Sequence, residues 1–231
     1  MYNPEELLKL PRLGKDDTFA FGCNRCGSCC RERDDILLTP LDLFKISKYL
    51  KKSIQEVLIS YCESYEGSAS KIPIVRLKPR EYRRTCPFAG KDGCMVHPVK
   101  PIVCSLYPLG RMTDPNANQF TYILQPITCG NKNQTQTVKQ WLEGFSVLDE
   151  EKINLYWHSQ VMRLTIILNK IYDEYPIDHD PINHMLLMNL YVFYDLERNF
   201  MLQFKDNCDA AICLVQEISK RLGESTDGCN G

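Results

Sequence analysis

The chain has 231 residues, of which 44% are hydrophobic and 25% are charged, and its formal net charge is -1 at pH 7. This composition excludes a collagen-like, low-complexity or wholly disordered chain, and the near-neutral charge gives no overall attraction to nucleic acid or to an anionic membrane. Cysteine is the outlier: 12 cysteines are many for a chain long enough to bury a core without disulfides.

The sequence favours a cytoplasmic protein with no membrane partner. Residues 1–6 include two glutamates and a proline, where a secretory signal has basic residues leading into an apolar run. No apolar stretch reaches the roughly 18 residues that a bilayer requires. Because cytoplasmic thiols stay reduced, a cysteine cluster there indicates metal rather than disulfides.

Two short helices are predicted from their first residues. Thr39 is a suitable N-cap, followed by Pro40 at the first helical position and by the carboxylate of Asp42. Ser53 and Glu56 have the spacing of a capping box at the start of the second helix.

The segment 73–126 is predicted to be rich in turns, since it holds eight of the 13 prolines. Within or beside it, β-branched and aromatic residues predict strands over 72–77 and 120–125. We expect these two strands to pair and to frame the cysteine region.

The C-terminal part is predicted to be helical, beginning at Asn131. Helices are expected over 138–145, 149–175 and 197–222, whereas 182–194 is ambiguous between helix and strand. The predicted class is therefore α+β, mostly helical, with an irregular metal-organised cysteine-rich core and short strands. Residues 15–135 would form a metal-binding domain, and 136–231 a helical extension packed on it or part of the same domain.

Eight cysteines have the spacing of metal ligands. They fall into two groups of four, the first reading Cys-x2-Cys-x2-Cys-Cys and the second separated from it by 55 residues. The candidate ligands are Cys23, Cys26, Cys29, Cys30, Cys86, Cys94, Cys104 and Cys129. This count fits two four-coordinate ions, or one cluster built from both groups.

The residues alone rank a pair of closed zinc sites first, iron second and disulfides third. The first three cysteines match the start of a bacterial ferredoxin motif, but its fourth position is absent. Adjacent side chains are expected to diverge, so Cys29 and Cys30 would serve two neighbouring metals, or one would remain a reactive thiol. His97 is a weaker candidate ligand, being a single histidine beside the cluster.

The remaining cysteines have no partner at ligand spacing. Cys62 and Cys208 fall on apolar helix faces and are predicted to be core residues. Cys213 lies off the stripe of the last helix, and Cys229 lies in a polar tail.

The charge of the chain is uneven around the second cysteine group. Eight basic residues lie between positions 76 and 111, against two acidic residues. The basic residues are Arg76, Lys78, Arg80, Arg83, Arg84, Lys91, Lys100 and Arg111. We favour the interpretation that they offset thiolate charge; the alternative is a site for a nucleotide, a carboxylate or an RNA phosphate.

The motifs resemble those of the YkgJ-type cysteine-cluster family, a family described as chelating zinc or iron. The matching strings, spread over 22–130, are CNRCGSCC, ILLTPLD, CPF, CMVHPVKPIVC and YP. A similar domain forms the N-terminal part of FliB-type flagellin lysine N-methylases. The resemblance implies iron ahead of zinc, and it connects the chain with S-adenosylmethionine and a protein substrate.

Three functions follow as hypotheses. The first is a cytoplasmic metalloprotein that binds an iron-sulfur or other multinuclear iron centre through the eight cysteines, with zinc as the fallback. The second is an S-adenosylmethionine-dependent protein-lysine N-methyltransferase, although no Gly-x-Gly-x-x-Gly turn marks a Rossmann site. The third is a structural zinc module for protein contacts. Nucleic acid is not an expected partner.

Overall fold

The computed structural model describes residues 9–31, 33, 35–80, 84–114 and 119–227. Short antiparallel sheets contain the strands, and the longest helices lie in the C-terminal part, which confirms the predicted α+β class. Within these described ranges, no helix is both long and apolar enough to cross a bilayer.

Groups of strands and groups of helices follow one another along the chain. The strands are β1 (Arg12–Leu13), β2 (Thr18–Gly22), β3 (Leu37–Leu38), β4 (Cys62–Glu66), β5 (Pro73–Leu77), β6 (Ala89–Gly90), β7 (Gly93–Cys94), β8 (Leu109–Asp114), β9 (Gln119–Leu124) and β10 (Asn131–Thr137). The helices are α1 (Pro40–Leu50), α2 (Ile54–Tyr61), α3 (Ile102–Leu106), α4 (Val138–Glu143), α5 (Glu151–Glu174), α6 (Asp180–Leu187) and α7 (Phe200–Asp227).

The chain forms two compact units, each built from two separate stretches. Unit 1 comprises Met1–Leu37 and Leu77–Leu155, and unit 2 comprises Leu38–Arg76 and Tyr156–Gly231. Compactness alone does not make a unit an independently folding domain, so the predicted division into 15–135 and 136–231 stays a prediction.

Unit 1 contains the sheet β1-β9-β8 and the two-stranded sheet of β2 and β10. Its apolar core includes Phe21, Leu106, Tyr122 and Trp141. The indole Nε1 of Trp141 donates to the carbonyl of Leu106 at 3.2 Å, so this buried polar group is satisfied. Strand β9 confirms the strand predicted over 120–125.

The pairing predicted between the two strands is wrong. Strand β5 confirms the strand predicted over 72–77, but it lies between β3 and β4, whereas β9 lies between β1 and β8. Both edges of each strand are already hydrogen-bonded, which leaves neither available for the other.

Both predicted helix starts in the first half are confirmed. Thr39 and Asp42 form a reciprocal capping box at α1, with Pro40 as the first helical residue. Ser53 and Glu56 form the same arrangement at α2. These motifs were readable because a cap depends on residues only three positions apart.

The helical C-terminal part differs from the prediction at one place and resolves an ambiguity at another. Residues 131–137 form strand β10 rather than the start of the helical region. The ambiguous segment 182–194 contains the end of α6 and then a π-helical turn, Met188–Val192. Helices α4, α5 and α7 confirm the other three predicted helices.

Candidate metal centre

The antiparallel pairing of β2 with β10 brings the first and last candidate cysteines to one end of a sheet. Asn131 pairs with Gly22, so Cys23 and Cys129 lie one or two positions beyond the same register pair. Gly130 is in the left-handed region with φ 83°. A Cβ there would lie 2.4 Å from a ring carbon of Phe21, so the close approach of the strands requires glycine.

The first cysteine group forms a tight turn and one turn of 3-10 helix. Gly27 is left-handed, with φ 71°, and precedes the 3-10 helix Ser28–Cys30. The amide of Cys30 donates to the carbonyl of Gly27 at 3.0 Å and closes the turn. This curvature turns several thiols of the motif toward a common space.

The turn places Sγ of Cys29 and Sγ of Cys30 only 3.9 Å apart. The sequence-based expectation that the two side chains diverge is therefore wrong in this 3-10 geometry. Two thiolates bound to one tetrahedral ion at about 2.3 Å would have a similar separation, about 3.8 Å.

The second cysteine group is tied to the first through backbone. The amide of Cys86 donates to the carbonyl of Cys30 at 2.8 Å. Cys94 lies on the hairpin of β6 and β7, opposite Ala89, and Cys104 lies in the middle of α3. Short secondary-structure elements thus place each of these cysteines near the first cysteine group.

All eight predicted ligands line one of two cavities in unit 1. The larger cavity, about 60 Å³, is bordered by Cys23, Cys29, Cys30, Cys86, Cys94 and Cys104. The smaller, about 40 Å³, is bordered by Cys23, Cys26, Cys29, Cys104 and Cys129. Because three cysteines border both, the thiols form one continuous set, which we call the cysteine cluster.

The thiols surround these cavities without forming a finished coordination site. Among the described residues, no three histidine, cysteine or acidic side chains are placed to hold one ion. Cys23 and Cys26 are exposed, Cys86 is buried, and the other five are half-buried. Metal binding therefore requires rotation of thiol side chains around a backbone that already assembles them.

Hydrogen bonding and burial give the thiols unequal acidity. A hydrogen bond from Cys30 lowers the pKa of Cys29 to about 6, with further help from Lys100 and Arg33. The same interaction raises the pKa of Cys30. Burial raises the pKa of Cys104. A hydrogen bond with Ser28 also lowers the pKa of Cys26, so Cys26 and Cys29 are both favoured as thiolate ligands.

Backbone amides are directed at three of the sulfurs. In each case the amide of the residue two positions after the cysteine donates to Sγ. The donor and acceptor pairs are Ser28 to Cys26, Phe88 to Cys86 and Val96 to Cys94. Such bonds favour thiolate over thiol, and around metal centres they tune the reduction potential.

Two of the cations beside the cluster, Lys100 and Arg33, each interact with more than one thiol. The Lys100 ammonium interacts with the charges of Cys23, Cys29, Cys94 and Cys104, and burial lowers its pKa. Its Nζ lies 3.5 Å from the ring centroid of Phe145. Arg33, which was not among the residues singled out from the sequence, interacts with Cys29 and Cys104 and pairs with Asp35. Its position three residues after Cys30 was the available signal.

Two residues of the predicted basic segment, Arg76 and Arg111, contact side chains that are not part of the cluster. Arg76 pairs with Glu63 at 2.8 Å within unit 2. Arg111 stacks over the ring of Phe120 at 4.0 Å. Arg83 lies outside the described residues. In the described part of the cluster, Arg80 also interacts with the charge of Cys86, so charge compensation comes from Lys100, Arg33 and Arg80.

Aromatic side chains enclose the apolar side of the cluster. Phe88 is almost completely buried and lines the larger cavity. Tyr107 and Trp141 line the smaller cavity, and the Tyr107 hydroxyl lies 3.6 Å from Cys129 Sγ. Walls of this kind restrict water around metal-bound sulfur.

His97 lines the larger cavity with the cysteines. Its ring meets the ring of Phe145 edge-on at 6.1 Å, and burial lowers its pKa. A neutral imidazole is the form that binds metal, so the geometry leaves His97 available as a ligand.

The non-ligand cysteines lie as predicted where the structure describes them. Cys62 and Cys208 are buried, and this burial raises the pKa of each thiol to about 12. Cys213 is exposed. Cys229 lies outside the described residues.

A protein-family model matches residues 22–139, which is about half of the chain and includes all eight clustered cysteines. The chain belongs to the CxxCxxCC family. The description of that family is "Putative zinc- or iron-chelating domain". The match confirms the family predicted from the motifs, and the matched range contains the whole cysteine cluster.

A protein of Methanocaldococcus jannaschii, described as uncharacterized, is 33% identical over 91 residues. The aligned part covers 38% of this chain and 44% of the relative, so the chain spans less than half of that relative's length. No solved structure matches the chain.

The residues present fit the chelating role of the CxxCxxCC family. Thiols are ligands for both zinc and iron-sulfur centres, and the cluster supplies eight of them around two adjoining cavities. Amide donors, two cations and aromatic walls complete the environment that such centres use.

Proposed function

We propose that the protein binds an iron-sulfur or other multinuclear iron centre through Cys23, Cys26, Cys29, Cys30, Cys86, Cys94, Cys104 and Cys129. One observation carries the proposal: six cysteines border the larger cavity, and three of them also border the smaller one. A structural zinc ion takes four ligands in a closed shell. A continuous set of thiols larger than that favours a centre with more than one metal ion.

The surroundings of the thiols support iron chemistry. An iron-sulfur centre would supply one-electron transfer when bound. The amides of Ser28, Phe88 and Val96 stabilise negative sulfur, and Lys100 and Arg33 reduce the net negative charge. Phe88 and Trp141 limit the access of water on the apolar side. Each of these residues adjusts stability and potential without being a ligand.

We further propose that the protein works in the cytoplasm. Every described cysteine is a free thiol, including the adjacent Cys29 and Cys30. Thiol ligands of this kind require a reducing compartment.

The proposal is tested by purifying the protein without oxygen and measuring iron, acid-labile sulfide, zinc and the visible absorption spectrum. We expect a brown protein with iron and sulfide in comparable amounts. Cys29→Ser and Cys104→Ser should each lose most of the iron, because both thiols border both cavities. Cys213→Ser is the matched control, since Cys213 is an exposed cysteine of unit 2, and it should retain the wild-type spectrum.

A colourless protein with about two zinc ions per chain would overturn the iron proposal and favour the structural zinc module. If Cys213→Ser lost as much iron as Cys29→Ser and Cys104→Ser, the iron would be bound by thiols in general rather than by the cluster.

The methyltransferase hypothesis rests on the family resemblance and stays a prediction. Calorimetric titration with S-adenosylmethionine, followed by methyl transfer to a lysine-containing protein, is its direct test. If S-adenosylmethionine does not bind at millimolar concentration, the methyltransferase hypothesis is rejected.

A further inference from the structure

Unit 1 contains a second cavity system on the exposed side of the cysteine cluster. It is an open cleft of about 840 Å³, and its lining includes Arg25, Arg31, Arg80 and Lys91, together with Cys26 and Thr85. We propose that this basic cleft binds a small anion carrying two or more phosphoryl groups, a binding activity separate from metal chelation.

Three different segments deliver the cations to the cleft. Arg25 and Arg31 belong to the first cysteine group and its immediate continuation, and both are exposed. Lys91 follows Gly90 at the tip of the β6–β7 hairpin. Arg80 enters from the other side, where it forms an isolated bridge with Thr85. Charges from distant parts of the sequence therefore converge on one concave surface.

Arg80 is held in place by backbone. One Nη donates to the carbonyl of Pro87 at 2.6 Å, and the other donates to that of Ala89 at 3.3 Å. These two bonds use only part of the five-donor guanidinium and restrict its rotation. A preorganised guanidinium loses less entropy when it binds an anion.

The charge of the cleft is not neutralised by the described protein. None of its described lining residues is acidic, and Asp92, next to Lys91, is not among them. Within the described ranges of the chain, Arg25, Arg31 and Lys91 form no ion pair. By contrast, Arg33 pairs with Asp35, and Lys100 lies among the thiols. Arg31 and Lys91 are thus distinct from the two cations that offset cluster charge, whereas Arg25 also borders the cluster cavities and Arg80 also interacts with Cys86.

The size and chemistry of the cleft favour a phosphorylated small molecule. Its volume falls within the roughly 300 to 1,000 Å³ that is usual for small-molecule sites. Arginine forks match phosphate oxygens in bidentate geometry, and three arginines and one lysine complement the charge of a di- or triphosphate. Because Cys26 forms part of the wall, the bound anion would lie beside the metal-binding thiols.

The test is calorimetric titration of the purified, metal-containing protein with inorganic pyrophosphate and, separately, adenosine diphosphate. We expect saturable binding of both. Arg31→Gln and Lys91→Gln should each weaken the affinity about 10-fold or more, since a charge-assisted hydrogen bond contributes roughly 1.5 to 3 kcal/mol. Lys132→Gln is the matched control: it removes one exposed positive charge of unit 1 outside the cleft, and it should change affinity less than twofold.

Metal content is measured before and after each titration, because pyrophosphate itself binds metal ions. A protein that contains zinc instead of iron but binds pyrophosphate through Arg31 and Lys91 would contradict the proposed iron centre and support the cleft.

Four outcomes would overturn the cleft proposal. They are no saturable binding, equal loss of affinity in Lys132→Gln, heat that arises only from stripped metal, and loss of affinity that occurs only together with loss of metal in the cleft variants. Much tighter binding of a single-stranded oligonucleotide than of pyrophosphate or adenosine diphosphate would indicate nucleic acid as the ligand. That result would also reject the proposal as stated.

Discussion

At the scale of single residues, Gly130 shows how tightly the backbone is drawn around the cysteine cluster. Its φ of 83° is unfavourable for residues with a side chain, and a Cβ would lie 2.7 Å from the carbonyl oxygen of Gly22. The neighbouring Cys129 depends on this geometry to reach the cluster.

Gly130→Ala is expected to lower the free energy of unfolding by about 2 to 4 kcal/mol, through backbone strain and overpacking against Phe21. Urea unfolding followed by near-ultraviolet circular dichroism measures the change. Gly144→Ala is the control, because Gly144 has φ -60° and its Cβ would be 3.5 Å from the nearest atom. Equal loss in both variants would contradict a specific role for Gly130.

Lys100 is the residue whose charge is most closely associated with the thiols. Lys100→Gln is expected to weaken metal affinity about 10-fold or more, as removal of groups that support metal ligands commonly does. It should also make the reduction potential more negative, since the reduced centre carries more negative charge. Chelator competition and redox titration measure the two effects. Wild-type values in this variant would show that Lys100 is only a packing residue on Phe145.

At the scale of elements, the caps of α1 and α2 are chemically alike but differently buried. Asp42 is 1% exposed, and its carboxylate accepts hydrogen bonds from the amide and hydroxyl of Thr39 at 2.9 and 2.8 Å. Glu56 receives the equivalent bonds from Ser53 at 2.7 Å while remaining exposed. Water can replace a lost partner of Glu56 but not of Asp42.

Thr39→Ala should therefore destabilise the protein more than Ser53→Ala. We expect losses of about 1 to 3 kcal/mol and about 0.5 to 1 kcal/mol, respectively. Thermal unfolding of the two variants beside the wild type measures the difference. A larger loss for Ser53→Ala would mean that burial of the cap does not set its contribution.

The helix starts were predictable, whereas strand β10 was not. Thr39 and Asp42 identify α1 because their contacts are local in sequence. Residues 131–137 are polar and mostly exposed, so they carry no alternating apolar pattern. Their strand conformation depends on hydrogen bonds to β2, more than a hundred residues away in the chain.

At the scale of the whole molecule, the two units differ in how much their order should depend on metal. Unit 1 contains all eight clustered cysteines and the loops that carry them, together with its own apolar core. Unit 2 contains α1, α2 and α7. The described cysteines of this unit are not part of the cluster. Metal binding can contribute on the order of 10 kcal/mol, comparable with the whole stability of a domain.

When a chelator removes the metal, we expect backbone amides in the loops around Cys26, Cys86 and Cys94 to lose their protection from hydrogen exchange. Amides of α1 and α7 should stay protected. Hydrogen exchange read by mass spectrometry resolves these segments. The β1-β9-β8 sheet is an internal reference, because its pairing is hydrogen-bonded independently of the thiols. Unchanged protection in the cysteine loops, or equal loss in α7, would contradict this expectation.

The sequence by itself determined which cysteines belong to the family motif and where the capped helices begin, since spacing and capping are local properties. The tertiary structure decided what no local pattern contains. It placed Cys129 beside Cys23 through β10, made three cysteines common to two cavities, and brought Arg25, Arg31, Arg80 and Lys91 to one open cleft. These arrangements arise from long-range strand pairing and packing, which bring together residues that the sequence keeps far apart.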